Sequence, residues 1–184
     1  MTLKKDILIV HNTPLPSCQG GEPRLPVNYR IIAGARQQRD HFMTTQQITF
    51  LDTRAILTLT GADVVEFLQN LITNDMAEVT DSHAMYAALL TAQGKFLHDF
   101  MVIKWGDQIL LDVAADRKAD LLRRLTMYKL RADVTIADGE FDIYALFGTP
   151  ADAAAGTVTE TGDGLSYVDP RLNAMGTRLL TPRG

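Results

Sequence analysis

Two polar residues stand side by side inside an apolar run, His98 and Asp99 in Lys95-Phe-Leu-His-Asp-Phe-Met-Val102. Each must be exposed, hydrogen-bonded or used, because stranding a polar group in an apolar setting costs roughly 2–7 kcal/mol. A carboxylate there can accept hydrogen bonds from the N–H groups of a heterocycle, and a partly buried one can act as a base. The plainer alternative for Asp99 is a strand-edge residue paired with a nearby cation such as Lys95. Asn74, in Thr73-Asn-Asp75, reads as a helix-terminal turn residue or, less simply, as a ligand contact.

Most self-contained chemistries are excluded. The chain has no P-loop, no dinucleotide Gly-rich fingerprint, no Gly-x-Ser-x-Gly elbow and no His-Glu-x-x-His. His11, His41, His83 and His98 show no metal-ligand spacing. The single cysteine, Cys18, excludes an internal disulfide and a multi-cysteine metal centre built by this chain alone. A formal net charge of -4 and a pI near 5.5 argue against direct nucleic-acid binding. With 184 residues, 46% hydrophobic and 22% charged, the chain is long enough for one sizeable domain. No run approaches the ~18–20 apolar residues of a membrane span.

The elements that must position these residues can be read in order. Tyr86–Leu90 is apolar and meets a turn at Thr91-Ala-Gln-Gly94, where Gly94 can take positive φ cheaply. A second strand runs from Lys95 to Trp105, Gly106-Asp107 turns the chain, and Gln108–Val113 completes a three-stranded meander. Upstream, Ile48–Leu51 and Ala55–Leu59 read as strands. Thr60 is the expected N-cap of a helix with the stripe Val64, Val65, Leu68, Leu71 and Ile72. Downstream, Asp116–Lys129 is the clearest helix, with Leu121, Leu122, Leu125 and Tyr128 facing the core. Its many Lys and Arg residues make either a solvated face or a docking face for an anionic partner. Val134–Ala137 and Phe141–Phe147 read as strands around an Asp138-Gly139 turn, 148–164 as loop and turn, and Leu165–Val168 and Thr177–Leu180 as short strands. The expected fold class is α+β, antiparallel sheets with a few packed helices.

Residues 1–42 differ. Pro14, Pro16, Pro23 and Pro26 with Gly20-Gly21 favour an irregular or disordered arm, followed by a domain over 43–184. Arg24, Arg30, Arg36 and Arg39 suit a mitochondrial targeting segment. Asp6, Glu22, Asp40 and the lack of an amphipathic helix favour a plain extension before Met43.

Five local phrases then combine. Leu59-Thr-Gly-Ala-Asp63 with Phe67-Leu-Gln69 and Thr73-Asn-Asp75, Gln93-Gly-Lys95 with Asp99, Tyr128-Lys-Leu-Arg131, Asp169-Pro-Arg171, and Met175-Gly176 with Arg178 occur in this order. Together they resemble the YgfZ family, the folate-binding relatives of the glycine-cleavage T-protein. The resemblance implies a tetrahydrofolate-binding fold used in iron–sulfur cluster assembly or repair, and through it tRNA modification. The implied partners are a reduced folate and iron–sulfur client or assembly proteins, with no membrane. The implied location is the cytoplasm of a bacterium or the mitochondrial matrix of a eukaryote. The implied cofactor-binding residues are Asp99, Lys95, His98 and Asn74, with no catalytic residue and no metal held by this chain alone. T-proteins carry an acidic pair where this chain has His98-Asp99, so independent catalysis is not expected. Any chemistry would be folate-dependent aminomethyl transfer of the glycine-cleavage type. The other alternative is an RNA- or protein-binding module using the basic helix 116–131. The family's later Lys-Gly-Cys-Tyr-x-Gly-Gln-Glu phrase does not occur before Gly184, so the domain is expected to be incomplete at its C-terminus and part of the folate cavity missing.

Overall fold

Alternating and continuous apolar runs build two sheets, and two short helices cover one of them. The structure is a computed structural model that describes residues 7–9, 46–147 and 153–183. In chain order its elements are β1 (Ile7–Ile9), β2 (Gln46–Phe50), β3 (Arg54–Thr60), α1 (Val64–Gln69), β4 (Met85–Leu90), β5 (Phe96–Trp105), β6 (Gln108–Ala114), α2 (Lys118–Tyr128), β7 (Thr135–Gly139), β8 (Phe141–Phe147), β9 (Val158–Thr161), β10 (Gly164–Val168) and β11 (Thr177–Pro182). One sheet runs β4-β5-β6-β3-β7 and the other β1-β2-β8-β11-β10-β9. Every pairing but β1–β2 is antiparallel. The α+β class is the observed one.

The five-stranded sheet is buried on both faces, which explains why its central strands read as unbroken apolar runs. Leu57, Leu59, Phe100, Val102, Leu111 and Val113 face the helices, where they meet Val64, Phe67 and Leu68 of α1 and Leu121 and Leu125 of α2. The alternate residues Ile56, Met101, Ile103 and Leu110 face the second sheet and pack on Ile143, Leu165, Tyr167 and Leu180. Trp105 and Phe141 meet edge to face across that layer, their ring centres 5.2 Å apart. Burying side chains of this size contributes about 1.5–3 kcal/mol each, which makes the two apolar layers the main source of stability.

The meander β4–β6 lies where expected, with Gly94 at φ 78° and Gly106 at φ 58° in its turns. Other expectations need correction. Thr60 ends β3 rather than capping α1. The residue preceding the helix is Asp63, and its carboxylate accepts from the Asp133 backbone N–H at 2.7 Å. Val65 points to solvent and Phe67 takes the inward place, because α1 lasts only six residues and its buried side follows the sheet. Tyr128 is likewise exposed at the last residue of α2. Asp138-Gly139 is not a turn. Both pair with β3, and a side chain at Gly139 would press against Ile56 Cγ2 at 2.6 Å, so glycine serves close packing there. A strand unforeseen by the sequence, β9, pairs with β10 through the Gly162-Asp163 turn. Of the 1–42 arm, only Ile7–Ile9 lies within the described residues. It adds a parallel edge strand, as a short β-prone apolar run can. Cys18, the remainder of the arm and 148–152 of the expected loop lie outside the described residues.

Candidate functional site

The β4–β5 hairpin decides which way His98 and Asp99 face. Near its turn the register shifts. Leu89 pairs with His98 but Leu90 with Phe96, leaving Leu97 as an extra residue. Beyond this bulge strict alternation resumes. Asp99 then shares a face with Met101 and Ile103, toward the second sheet, and His98 shares one with Phe100, toward the helices. The two neighbours therefore belong to different layers.

On the intersheet side Asp99 meets Tyr86, its diagonal neighbour on β4. The Tyr86 hydroxyl donates to Asp99 Oδ2 at 2.9 Å. Burial, together with that bond to a carboxylate, raises the Tyr86 pKa above the usual phenol value. The Arg171 guanidinium carbon lies 5.7 Å from the centre of the Tyr86 ring, within cation–π range.

Arg171 belongs to a network that crosses the layer between the sheets. Asp169, almost fully buried after β10, accepts from Arg171 Nε at 2.9 Å and a second Arg171 nitrogen at 2.7 Å, a bidentate pair. Burial pushes Asp169 up, but the Arg171 hydrogen bonds outweigh it and leave its pKa below the ordinary carboxylate value. Arg178 of β11 reaches Asp169 at 3.5 Å and Asp112 of β6 at 2.5 Å. Asp112 is fully buried. It also accepts from Arg54 Nε at 2.7 Å and from the Tyr167 hydroxyl, and Arg54 donates to its backbone carbonyl at 2.7 Å. Burial and the nearby Asp112 charge hold the Tyr167 phenol well above its usual pKa. The chain of contacts runs Arg54, Asp112, Arg178, Asp169, Arg171, Tyr86, Asp99. It holds three guanidinium groups and three carboxyl groups, and Asp99 is its outer end.

The other candidate residues take separate places. His98 is buried, and its Nε2 lies 2.9 Å from Asp120 Oδ2 on α2. Hydrogen bonds from Arg124 and Arg123 hold the Asp120 pKa well below the usual carboxylate range. Lys95 is exposed at the base of the turn, where its backbone N–H donates to Thr91 Oγ1. Asn74 is exposed, and its side-chain amide donates to the Tyr86 carbonyl at 3.2 Å. That contact belongs to a short stretch lying along the edge of β4, where the Thr73 N–H also donates to the Ala88 carbonyl at 3.0 Å. Asp99 thus meets Tyr86, whereas Asn74 touches only the Tyr86 backbone at the sheet edge, Lys95 stays at the turn, and His98 serves the helix layer. Among the described residues, Lys95 makes no ion pair with Asp99.

The pairing of β5 with β6 begins at Phe100–Val113, so Phe96–Asp99 extend past their neighbour. A cavity of about 150 Å³ opens there, lined by Phe96, Leu97, His98, Asp99, Val113, Ala114 and Arg117. Arg117 donates to the Leu97 carbonyl at 2.9 Å, and the Phe96 ring is mostly exposed. The basic helix is largely satisfied within the chain. Lys118 pairs with Asp138, Arg123 and Arg124 with Asp120, and Lys129 bonds the Val134 carbonyl.

Sequence reasoning did not reach Tyr86, Arg54, Asp112, Tyr167 or Arg178 as members of one site. Asp112 carried a usable signal. It is a lone carboxylate in Ile109-Leu-Leu-Asp-Val113, the same anomaly that marks Asp99. Tyr86 carried none, because a tyrosine in an apolar strand is ordinary.

Comparison with known proteins agrees with this architecture. Residues 19–170 match the GCVT N-terminal domain. An iron–sulfur cluster assembly factor IBA57 homolog, mitochondrial, from Pyricularia oryzae is 30% identical over 145 residues, covering 75% of this chain and 36% of the relative. The mouse iron–sulfur cluster assembly factor IBA57, mitochondrial, is 31% identical over 151 residues, covering 71% and 42%. The tRNA-modifying protein YgfZ of Escherichia coli is 31% identical over 109 residues, covering 59% and 33%. The chain therefore spans well under half the length of these relatives. In fold it is similar to the glycine cleavage system aminomethyltransferase T from Bartonella henselae, with a TM-score of 0.64 and 16% identity over 74% of this chain and 42% of that one. With the family match covering most of its length and the same two-sheet fold present, the chain belongs to the GCVT N-terminal domain family.

Proposed function

We propose that this chain recognises a reduced folate and serves iron–sulfur cluster assembly or repair, affecting tRNA modification indirectly, without independent catalysis. The reading rests on the state of Asp99. It is a half-buried carboxylate on a residue that helps line a cavity, with one oxygen fixed by Tyr86 on the intersheet side and the other accepting no hydrogen bond from the described residues. A pterin presents adjacent N–H donors that such an oxygen can accept. The cavity of about 150 Å³ is smaller than the roughly 300–1,000 Å³ of typical ligand pockets, so it suits the pterin end alone. The residues fit that end of the ligand. Asp99 would hold the pterin N–H groups, while His98, bonded to Asp120 in the helix layer, would brace the strand that carries it. The anionic glutamyl tail would meet exposed cations, Arg117 on the cavity lining and Lys95 one residue before Phe96. Asn74 supports the strand edge that carries Tyr86. Bound there, tetrahydrofolate would supply one-carbon carrier chemistry.

The position of His98 supports a chain without a transfer role of its own. It replaces the first member of the acidic pair expected of a transferase, and its ring nitrogen is engaged by Asp120 in the helix layer. The names of the similar proteins support iron–sulfur client or assembly proteins as partners. They also support a bacterial cytoplasm or a mitochondrial matrix as the location. The test is isothermal titration with tetrahydrofolate under reducing conditions, comparing wild type with Asp99→Ala. Losing hydrogen bonds to a charged acceptor predicts a drop in affinity of roughly 10- to 100-fold. Equal binding by both proteins would remove Asp99 from the site, and no binding by wild type would remove folate recognition from this chain.

A further inference from the structure

We propose that Tyr86 and Arg171 are positioning residues, through which the second sheet sets the orientation of the Asp99 carboxylate. The inference rests on the folate reading only for its ligand. Its geometric content concerns the chain alone.

The Asp99 side chain has one anchor among the described residues, the Tyr86 hydroxyl at 2.9 Å. A carboxylate on a single anchor can still swing with the ring that holds it. The backbone fixes only where the Tyr86 ring begins, since among the described residues β4 is an edge strand whose outer side carries just the short 72–74 stretch. What bears on the face of the ring is Arg171, and that residue comes from the other sheet.

Arg171 is itself held firmly. Both of its contacts to Asp169 form a planar fork, and its backbone N–H donates to Asp169 Oδ1 at 3.0 Å. Asp169 is in turn fixed by Arg178 and by its own N–H, which donates to the Gly176 carbonyl at 2.9 Å. The Asp169-Pro-Arg171 phrase and Arg178, which the sequence marked without explaining, thereby acquire a common task. They carry a cation from the six-stranded sheet onto the ring that orients Asp99. Charge supports the same conclusion. Without Asp99 the network holds three guanidinium groups against Asp112 and Asp169, and the Asp99 carboxylate balances the third. A ligand edge that pairs with Asp99 while leaving the site balanced is neutral and donor-rich, as a pterin edge is.

The test has two arms, both on the full chain. In the first, tetrahydrofolate affinity is measured for Tyr86→Phe, Arg171→Gln and Arg171→Lys. Removing a hydrogen bond to a carboxylate predicts roughly a 10-fold loss for Tyr86→Phe. Losing the cation over the ring predicts roughly a 3- to 5-fold loss for Arg171→Gln, with partial recovery in Arg171→Lys. The second arm needs no ligand. The Tyr86 phenol is titrated by NMR in protein labelled at the tyrosine ring carbon, the signal being assigned by its loss in Tyr86→Phe. Arg171→Gln moves the Tyr86 titration to higher pH and Asp99→Asn moves it to lower pH. Arg171→Gln leaving the titration in place, or Tyr86→Phe binding like wild type while Asp99→Ala does not, overturns the proposal. If wild type binds no tetrahydrofolate, the folate reading fails and the titration arm still decides the coupling.

Discussion

Replacing Asp112 by Asn probes what joins the two sheets at this end of the molecule. The carboxylate is fully buried and takes hydrogen bonds from Arg54 at 2.7 Å, from Arg178 at 2.5 Å and from the Tyr167 hydroxyl. Asparagine keeps the shape but loses the charge, and its NH₂ must face one of these donors. Arg54 is then left with the Asp112 carbonyl and the Met101 sulfur, and Arg178 with Asp169 at 3.5 Å. Removing one partner of a buried ion pair costs about 3–5 kcal/mol, because the survivor remains desolvated. Against a total stability of roughly 5–15 kcal/mol, that is a fifth or more. In urea unfolding, a slope of about 2 kcal/mol per M places the midpoint about 1.5–2.5 M lower, with the slope unchanged. A downward shift smaller than about 0.5 M would mean that water reaches these groups and that the network contributes little to joining the sheets.

Two further outcomes are expected. Asp169 titrates below its unfolded value. The stability it contributes is therefore present above roughly pH 4, the unfolded carboxylate range, and is lost as pH falls through its folded pKa. Urea midpoints between pH 5 and pH 3 should decline less steeply for Asp169→Asn than for wild type, and parallel declines would contradict the Arg171 pairing. Leu130, just beyond α2, is almost wholly exposed and holds a left-handed φ of 45°. Leu130→Gly should relieve about 0.5–1 kcal/mol of strain, raising Tm by roughly 1–4 °C in a calorimetric scan, and a fall in Tm would show the conformation to be unstrained.

Local elements were legible where the physics is local. The β4–β6 meander follows from apolar runs broken at Gly94 and Gly106, whose positive φ favours a residue without Cβ. The strong stripe of Leu121 and Leu125 places α2 for the same reason. Errors arose where a neighbour decides. Gly139 looked like a turn because glycine usually marks one, yet it is flat strand against Ile56. Val65 and Tyr128 fell on a helical stripe, yet the short helices leave both exposed to solvent. β9 has too little pattern of its own and exists by pairing with β10.

The candidate site divides in the same way. The sequence by itself determined that Asp99 is an anomalous carboxylate in an apolar run, that a tight hairpin presents it, and that the phrases around it resemble those of one family; Asp112 carries the same anomaly and was not read from it. Only the tertiary structure decided their partners. Asp112 finds Arg54, Tyr167 and Arg178 at sequence separations of 58, 55 and 66 residues, and Asp99 is oriented through a tyrosine backed by an arginine from the opposite sheet. Pairing with β4 beyond the bulge at Leu97 set which layer each neighbour enters, His98 the helix layer and Asp99 the layer between the sheets. Hydrogen bonds act over about 3 Å and in fixed directions. Which groups come within that reach depends on how strands distant in sequence pair and stack.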